Sequence, residues 1–338
     1  MQTKRLTIYD IAKATNVSYA SVSRAISGRP GISQKTREYI LETCEKLGYT
    51  ANITARTLAG GQSKLIGFVV SGMDNPFMGE LSSQAEIYAR EKGYNLILCN
   101  SMAQNKHETE LVSILINRKV DGVIIVPVNS NSYTALEKYL SQIPIVFIGD
   151  NLPEKTYTHV SVDNYLGAFI GTEYLVSLGH SSILYFGNRP QSFTHRNRSA
   201  GYIAACKKHK LQPAIIDNMS STSSIENGYM LAKKNFSADM PYTAVFAATD
   251  TMAIGAIQAA DEKKIRIPCD LSVLGFDNIS ISRLSRINLT TIEQPLDKLV
   301  ISAIDLILQL VHDSEPEREN IIIQPNLIIR GTCAIPQK

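Results

Sequence analysis

The chain has 338 residues, 44% of them hydrophobic and 19% charged, which predicts a folded protein of at least two domains and excludes wholesale disorder. Its apolar runs are far shorter than the roughly 20 residues of a membrane helix, no signal peptide is recognised, and five scattered cysteines argue against disulfides and zinc, so a cytoplasmic protein is expected. The net charge of +3 is uneven, because residues 1–62 hold nine basic and four acidic residues, which is typical of a domain that binds a polyanion.

The head of the chain, residues 1–50, predicts three short helices. The first begins at Thr7, the second after the capping residue Ser18, and the third at Ser33, with Gly48 as the glycine that ends it. Apolar residues at helical spacing mark one face of each of the first two helices: Ile8, Ile11 and Ala12, then Val22, Ala25 and Ile26. The third helix runs through Ile40, Leu41, Cys44 and Leu47. A tight turn between the first two helices predicts a helix-turn-helix.

Once the inward face of the second helix is assigned, Tyr19, Ala20, Ser21 and Arg24 are left pointing outward. A short helix with these side chains suits the DNA major groove, where arginine can bind guanine O6 and N7 together. Basic and hydroxyl side chains near the helix starts are expected close to phosphates: Thr7, Ser18, Lys35 and Arg37.

Three stretches of the head, residues 7–12, 17–24 and 33–38, resemble the lactose-repressor (LacI/GalR) family of bacterial transcription regulators. The resemblance implies a homodimer that reads a pseudo-palindromic operator with Tyr19, Ala20 and Arg24 at the base-reading positions. Since Ala20 offers only an apolar contact, for instance to a thymine methyl group, its own selectivity is expected to be loose.

Residues 51–62 form a predicted hinge, in which Asn52 can cap a short helix containing Ala55 and Leu58. The segment has no core of its own and should fray when isolated. The resemblance implies that two such helices pair on operator DNA, where Leu58 inserts into the minor groove and kinks the duplex. Ala51 stands where the family usually carries proline, so weaker hinge ordering is expected.

The body, residues 63–338, alternates apolar strands with helices, which predicts an α/β architecture of doubly wound parallel sheets. Its size favours two lobes, and the resemblance implies a periplasmic-binding-protein-like pair with three crossovers. The expected N-lobe covers about 63–161 and 293–322, and the C-lobe about 163–291 and 326–338. This body is expected to bind the effector and to dimerise.

Ligands of doubly wound sheets bind beyond the carboxyl ends of strands, and polar residues follow several predicted strands here. Carboxylates, an arginine and an aromatic ring at such a cleft predict a sugar-like effector. The candidates from strand ends and from the resemblance together are Asp74, Phe77, Asp150, Arg198, Thr249, Asp277 and Gln294. Arg198 is placed in a loop or first helical turn. His195, three residues before it, could line the cleft, but a surface position is favoured.

Competing functions remain open at this point. The phosphate-loop, dinucleotide, nucleophile-elbow and zinc-protease motifs are all missing, so an enzyme is disfavoured and no cofactor is expected. A solute-binding protein with an accessory head is disfavoured by the basic head. Within the regulators, the leading prediction is a repressor of carbohydrate-utilisation genes; the alternative is a catabolite-control type that recognises a phosphoprotein, for which Arg286 is the one supporting residue.

Overall fold

The computed structural model describes most of the chain as two units, residues 1–64 and residues 65–338. The described residues are 6–27, 30–49, 62–149, 157–219, 223–313 and 319–337. Four residues with predicted roles lie outside them, so those roles stay predictions: Asn52, Ala55, Leu58 and Asp150.

The described residues of the first unit form three helices, α1 (Ile8–Thr15), α2 (Tyr19–Ser27) and α3 (Gln34–Lys46). They pack around a small buried core, and α1 turns into α2 through Asn16 in the left-handed conformation, with a φ of 55°. The core residues are Ile11, Val22, Ala25, Ile40 and Cys44. The predicted helix-turn-helix head is therefore confirmed.

The start of α1 and the end of α3 are fixed by local hydrogen bonds that the sequence predicts. The Thr7 backbone N–H donates to the Asp10 carboxylate at 2.8 Å, which caps α1. At the end of α3, Gly48 has a φ of 63°. Its N–H donates to the Glu45 carbonyl while Tyr49 N–H donates to the Cys44 carbonyl, which are the two bonds of a Schellman motif.

The four apolar residues of the third helix differ in burial. Ile40 and Cys44 are buried, whereas Leu41 is 45% exposed and Leu47 is 44% exposed. Among the described residues, α1 and α2 pack on one narrow stripe of α3, which Ile40 and Cys44 fill.

The second unit contains two six-stranded sheets with helices on their faces, which confirms the predicted α/β fold class. Its strands are β1 (Leu65–Val70), β2 (Asn95–Asn100), β3 (Gly122–Ile125), β4 (Ile145–Gly149), β5 (His159–Val162), β6 (Ile183–Asn188), β7 (Ala214–Asp217), β8 (Ala244–Ala247), β9 (Ser272–Asp277), β10 (Thr290–Glu293), β11 (Asn320–Ile323) and β12 (Asn326–Ile328). Its α-helices are α4 (Pro76–Glu91), α5 (Asn105–Asn117), α6 (Asn131–Leu136), α7 (Asn164–Ser177), α8 (Phe193–Lys208), α9 (Ile225–Asn235), α10 (Asp250–Glu262) and α11 (Leu296–His312).

The first sheet has the order β11-β5-β4-β3-β1-β2, and the second has the order β12-β10-β9-β8-β6-β7. All strand pairs are parallel except β10 with β12. The chain goes straight from the end of β11 in the first sheet to β12 in the second. Since the other strands of both sheets end at the cleft between them, β12 starts there and must run the opposite way. One antiparallel edge strand therefore departs from the all-parallel prediction.

The chain passes between the two lobes three times, after β5, after β10 and after β11. After the second pass, α11 packs its apolar face into the core of the first lobe through Leu299, Ala303 and Ile307. Ile279, which follows β9 of the second lobe, is buried in the same cluster. The lobes thus share apolar contacts beside the cleft.

In the second lobe, helices pack in pairs at unusually close range, with glycines at the contact points. A Cβ on Gly201 of α8 would overlap the Tyr165 carbonyl oxygen of α7, and one on Gly255 of α10 would overlap the Ile225 carbonyl oxygen of α9. The contact at Gly201 sets the position of α8, the helix that carries Arg198 and His195.

Candidate functional site

The first unit exposes the side chains that the sequence assigns to base reading. Tyr19 is 48% exposed. Ala20 and Arg24 are also exposed, whereas Ser21 is half-buried. Tyr9, on α1, stacks on Tyr19 with ring centroids 5.1 Å apart. This aromatic pair was not predicted, because its members lie on different helices.

Hydrogen bonding at the start of α2 leaves Ser21 tied to the helix cap. The Ser18 hydroxyl oxygen accepts the Ser21 N–H at 3.1 Å and lies 2.9 Å from the Ser21 hydroxyl. At the start of α3, Lys35 is exposed and Arg37 is half-buried. Their predicted phosphate contacts stay predictions.

The stem of Arg24 lies against Gly31, in the turn before α3. A Cβ on Gly31 would be 3.6 Å from Arg24 Cδ, and Gly31 has a φ of 103°, where other residues are strained. The glycine is therefore favoured by the conformation of the turn, whereas an added Cβ would only be in ordinary contact with the arginine.

The second unit has a cleft between its lobes, at the carboxyl ends of the strands, with a volume of about 150 Å³. That is roughly ten times the space that one bound water needs. The seventh predicted effector residue, Asp150, lies outside the described residues. The other six line the cleft: Asp74, Phe77, Arg198, Thr249, Asp277 and Gln294. Their binding roles stay predictions.

Arg198 is the most constrained polar side chain of the cleft, and it is only 2% exposed. It lies in the second turn of α8, not in the loop or first turn that the sequence suggested. Its Nε donates to Asn164 Oδ1 at 2.8 Å and one terminal nitrogen donates to the Ala248 carbonyl oxygen at 2.6 Å. The guanidinium also stacks over the Phe276 ring, 3.6 Å from its centroid.

Asp277 completes this network from the end of β9. Its carboxylate lies 3.2 Å from Arg198 and accepts a hydrogen bond of 2.7 Å from Gln294 Nε2. Burial raises the pKa of Asp277 to about 6, against the Arg198 charge and the Gln294 hydrogen bond, which lower it. Its φ of 123° is one that residues other than glycine rarely adopt, and such strain is typical of binding sites.

Asp250 lies behind Asp277 and is fully buried. It accepts hydrogen bonds from the Thr291 hydroxyl at 2.5 Å and from Ile279 N–H at 3.0 Å. Burial raises the pKa of Asp250 to about 7, and the Asp277 charge acts in the same direction. The sequence left helix capping open for Asp250, but the cap of α10 is the preceding Thr249, whose hydroxyl accepts Met252 N–H.

His195 is buried in the cleft wall, only 5% exposed, so its predicted surface position is wrong. The sequence predicts a helix over 197–208, but α8 begins at Phe193, and this earlier start puts His195 on the same inward face as Arg198. Burial, with the charges of Arg198 and Arg189, holds the pKa of His195 well below its usual range, so the imidazole is neutral. Arg189, after β6, also lines the cleft and was not predicted.

The opposite wall comes from the first lobe. Phe77 is 6% exposed at the start of α4, where Asn75 caps the helix by accepting Phe77 N–H at 3.0 Å. Asp74 precedes this cap and is exposed at the cleft mouth. One aromatic ring thus faces a wall of polar groups, an arrangement typical of a site for a small polar molecule.

Within the described ranges, no cluster of metal-ligating side chains is found. Nor does any described helix combine the length and the apolar character that crossing a membrane requires.

A helix-turn-helix unit followed by two lobes around a ligand-sized cleft defines a DNA-binding transcription regulator with a periplasmic-binding-protein-like body. Residues 7–52 match the bacterial regulatory proteins of the lacI family, and residues 172–333 match a periplasmic binding protein-like domain. The chain is 32% identical over 335 residues to the HTH-type transcriptional regulator DegA of Bacillus subtilis (strain 168), which covers 98% of each chain. The chain therefore belongs to the lacI family of bacterial regulatory proteins.

Two further similarities agree with this assignment. The HTH-type transcriptional repressor PurR of Pasteurella multocida (strain Pm70) is 31% identical over 329 residues, covering 96% of this chain and 97% of the relative. The solved structure of a Lac repressor dimer bound to operator and the anti-inducer ONPF is 28% identical, with a TM-score of 0.87, covering 98% of this chain and 100% of that one. The protein is accordingly a transcription regulator and not an enzyme.

Proposed function

We propose that the protein is a dimeric repressor of carbohydrate-utilisation genes, released from or recruited to its operator by a sugar-like effector in the cleft. The observation that carries this proposal is the buried Arg198–Asp277–Gln294 network at the cleft, opposite Phe77. Planar charged groups can bridge neighbouring sugar hydroxyls, and the ring can pack against an apolar sugar face.

On the DNA side, α2 is the reading helix, and Tyr19, Ala20 and Arg24 contact base edges in the major groove. Their exposure supports this role, as does the basic charge of residues 1–62. A two-fold dimer places two such helices on the halves of a pseudo-palindrome.

Effector control requires a ligand that binds one lobe arrangement better than another. The cleft supports this mode of control, because its walls come from both lobes and a ligand there would contact both. One contact already joins them close to the ligand network: Glu80 of α4 accepts the N–H of Ser280 at 2.8 Å, three residues after Asp277. Closure or opening of the cleft would change this contact.

The proposal is tested by selecting DNA from a random duplex pool and measuring affinity for the selected sequence by fluorescence anisotropy, with and without a panel of sugars. We expect a pseudo-palindromic sequence and at least one sugar that changes its affinity while raising the Tm of the free protein. Absence of any preference over random duplex at moderate ionic strength would contradict the proposal.

The hinge gives a separate prediction, which rests on sequence alone. Leu58→Ala should weaken operator binding, because an apolar wedge that unstacks a base step is lost, while effector affinity and dimerisation stay unchanged. Anisotropy, calorimetry and sedimentation measure the three quantities. An unchanged operator affinity would show that Leu58 does not insert into DNA.

A further inference from the structure

One end of the cleft carries positive charge that the Arg198–Asp277 pair does not account for. Residues 189–198 contain three arginines and no acidic residue. Arg198 is paired with Asp277, and Arg196 points away from the cleft, donating to the Pro190 carbonyl at 3.2 Å and stacking over Phe193. Arg189 lines the cavity, and the pKa of its guanidinium is lowered by burial, with no carboxylate of the described residues acting to raise it.

The same segment presents the N-terminus of a 16-residue helix to the cavity. Ser192 caps α8, and Ser192, Thr194 and His195 of its first turn all line the cleft. The first N–H groups of a helix carry partial positive charge and favour anions.

His195 supplies an independent sign that a ligand belongs here. The side chain is 95% removed from solvent, it lines the cavity, and its Nδ1 is buried with no hydrogen-bond partner among the described residues. A buried polar atom without a partner costs free energy, and such atoms are rare in folded proteins unless a ligand completes them. A neutral imidazole beside two arginines can donate one N–H to an anionic oxygen.

We infer that the end of the cleft formed by Arg189, Ser192 and His195 is a phosphate subsite, and that the effector is a phosphorylated monosaccharide. This rests on the proposed function, in which the cleft is the effector site. The sugar ring lies between Phe77 and the Arg198–Asp277 pair, and its phosphate ester binds Arg189 and the α8 N-terminus. A dianionic phosphate suits this end better than a carboxylate does, because it offers three terminal oxygens to donors arriving from several directions.

Among the described residues that line the cleft, the two carboxylates, Asp74 and Asp277, do not oppose this placement. Asp277 is compensated by its ion pair with Arg198 and its hydrogen bond from Gln294. Asp74 belongs to the first lobe and is exposed at the cleft mouth, on the wall opposite α8.

The test compares sugars with their own phosphate esters, using the full-length protein without DNA in a phosphate-free buffer. Calorimetry and Tm shifts are measured for ribose and ribose 5-phosphate, glucose and glucose 6-phosphate, fructose and fructose 6-phosphate, and for gluconate as a carboxylate probe. We expect at least one ester to bind roughly tenfold or more tightly than its parent sugar and than gluconate.

Variants then assign the gain to the subsite. Arg189→Gln should remove most of the tenfold difference, and Arg189→Lys, which keeps the charge, should retain part of it. Arg196→Gln is the matched control, since it removes an exposed arginine seven residues along the same segment that does not line the cleft. Its affinity for the ester should equal that of the wild type.

Three results would overturn the inference: no ester binding more tightly than its parent sugar, gluconate binding as tightly as the best ester, or equal affinities for Arg189→Gln and Arg196→Gln. An uncharged sugar that alone shifts the Tm and changes operator affinity would reject the phosphate subsite and leave the proposed function intact. If the protein binds the ester through Arg189 but prefers no DNA sequence, the phosphate subsite stands and the proposed function is rejected.

Discussion

Arg198 shows how much of the cleft depends on a single side chain. It joins Asn164 of α7, the Ala248 carbonyl and Asp277, so three separate segments meet on one guanidinium. A buried ion pair adds little net stability when intact, because desolvation offsets the attraction. Removing one partner is different, since the other charge stays buried alone. The arginine therefore holds the three segments together and also offsets the free-energy cost of burying the Asp277 carboxylate.

This difference gives a stability prediction for Arg198→Met. The variant should lose about 3–5 kcal/mol of unfolding free energy together with effector binding, as measured by urea unfolding and calorimetry. The double variant Arg198→Met, Asp277→Asn should recover part of the loss, because no unpaired carboxylate remains. A double variant less stable than Arg198→Met would show that the pair is not what stabilises the site.

The two neighbouring carboxylates give a pH prediction. The pKa of Asp277 is raised to about 6 and that of Asp250 to about 7, above the unfolded value of about 3.9. Between these limits the native state binds more protons than the unfolded state, so these groups lower the unfolding free energy as pH rises from about 4 to about 7. Below about pH 4, where both carboxyl groups are protonated in the native and unfolded states, their contribution to the unfolding free energy is at its most favourable.

Asp250→Asn should make this pH dependence shallower, since it removes one titrating group and the repulsion on Asp277. Urea unfolding at pH 5, 6, 7 and 8 measures the slope. Asp261→Asn, at an exposed position of the same helix, is the control and should keep the wild-type slope. Equal slopes for wild type and Asp250→Asn would contradict the assignment of the raised pKa to Asp250.

Among the secondary-structure elements, α8 has the most demanding position. Its first two turns carry Ser192, His195 and Arg198 to the cleft, and Gly201, one turn later, contacts the backbone of α7. The distance between the two helices therefore determines where the cleft side chains lie. The contact of Gly201 with α7 thus affects both the packing of the helix and the positions of the cleft side chains.

Gly201→Ala should push α8 away from α7 and cost about 1–3 kcal/mol of stability, with effector affinity falling as well. Gly79→Ala, in α4, is the matched control: the same substitution in a helix, where the added methyl group meets no atom within 4 Å. It should be neutral or slightly stabilising, because glycine is a poor helix former. Equal stabilities of the two variants would refute the close contact of α8 with α7.

For the molecule as a whole, the separation into two units has a functional consequence. Each unit has its own hydrophobic core. We therefore expect that DNA binding and effector binding can each be removed by substitution without loss of the other.

Arg24→Ala tests this independence. Operator affinity should fall roughly 5- to 150-fold, since a bidentate arginine–guanine contact is worth about 1–3 kcal/mol, while effector affinity without DNA stays at the wild-type value. Lys46→Ala, an exposed position at the end of α3 that pairs with Glu42, serves as control and should keep full operator affinity. A parallel loss of effector affinity in Arg24→Ala would disprove the separation.

Much of this protein follows from local sequence. The caps at Thr7, Ser18 and Ser33 and the glycine at position 48 act within a few residues, so helix ends in the head can be read without knowing the fold. The near-continuous apolar runs of β1 and β9 likewise predict strands of a buried parallel sheet from a few neighbouring residues. The short strands β5, β7, β10, β11 and β12, of three or four residues, and the six-residue helix α6 were not predicted, because segments this short carry little periodicity.

The cleft needed the tertiary structure. Its polar residues could be predicted from strand ends and from the family resemblance. The sequence could not show that His195 is buried, that Arg189 lines the cleft, or that Asp250 lies behind Asp277. Burial and electrostatic coupling arise between side chains dozens of residues apart, such as Arg198, Asn164 and Asp277. Local patterns encode where helices and strands begin and end, whereas the environment of each charge exists only once the sheets have assembled around it.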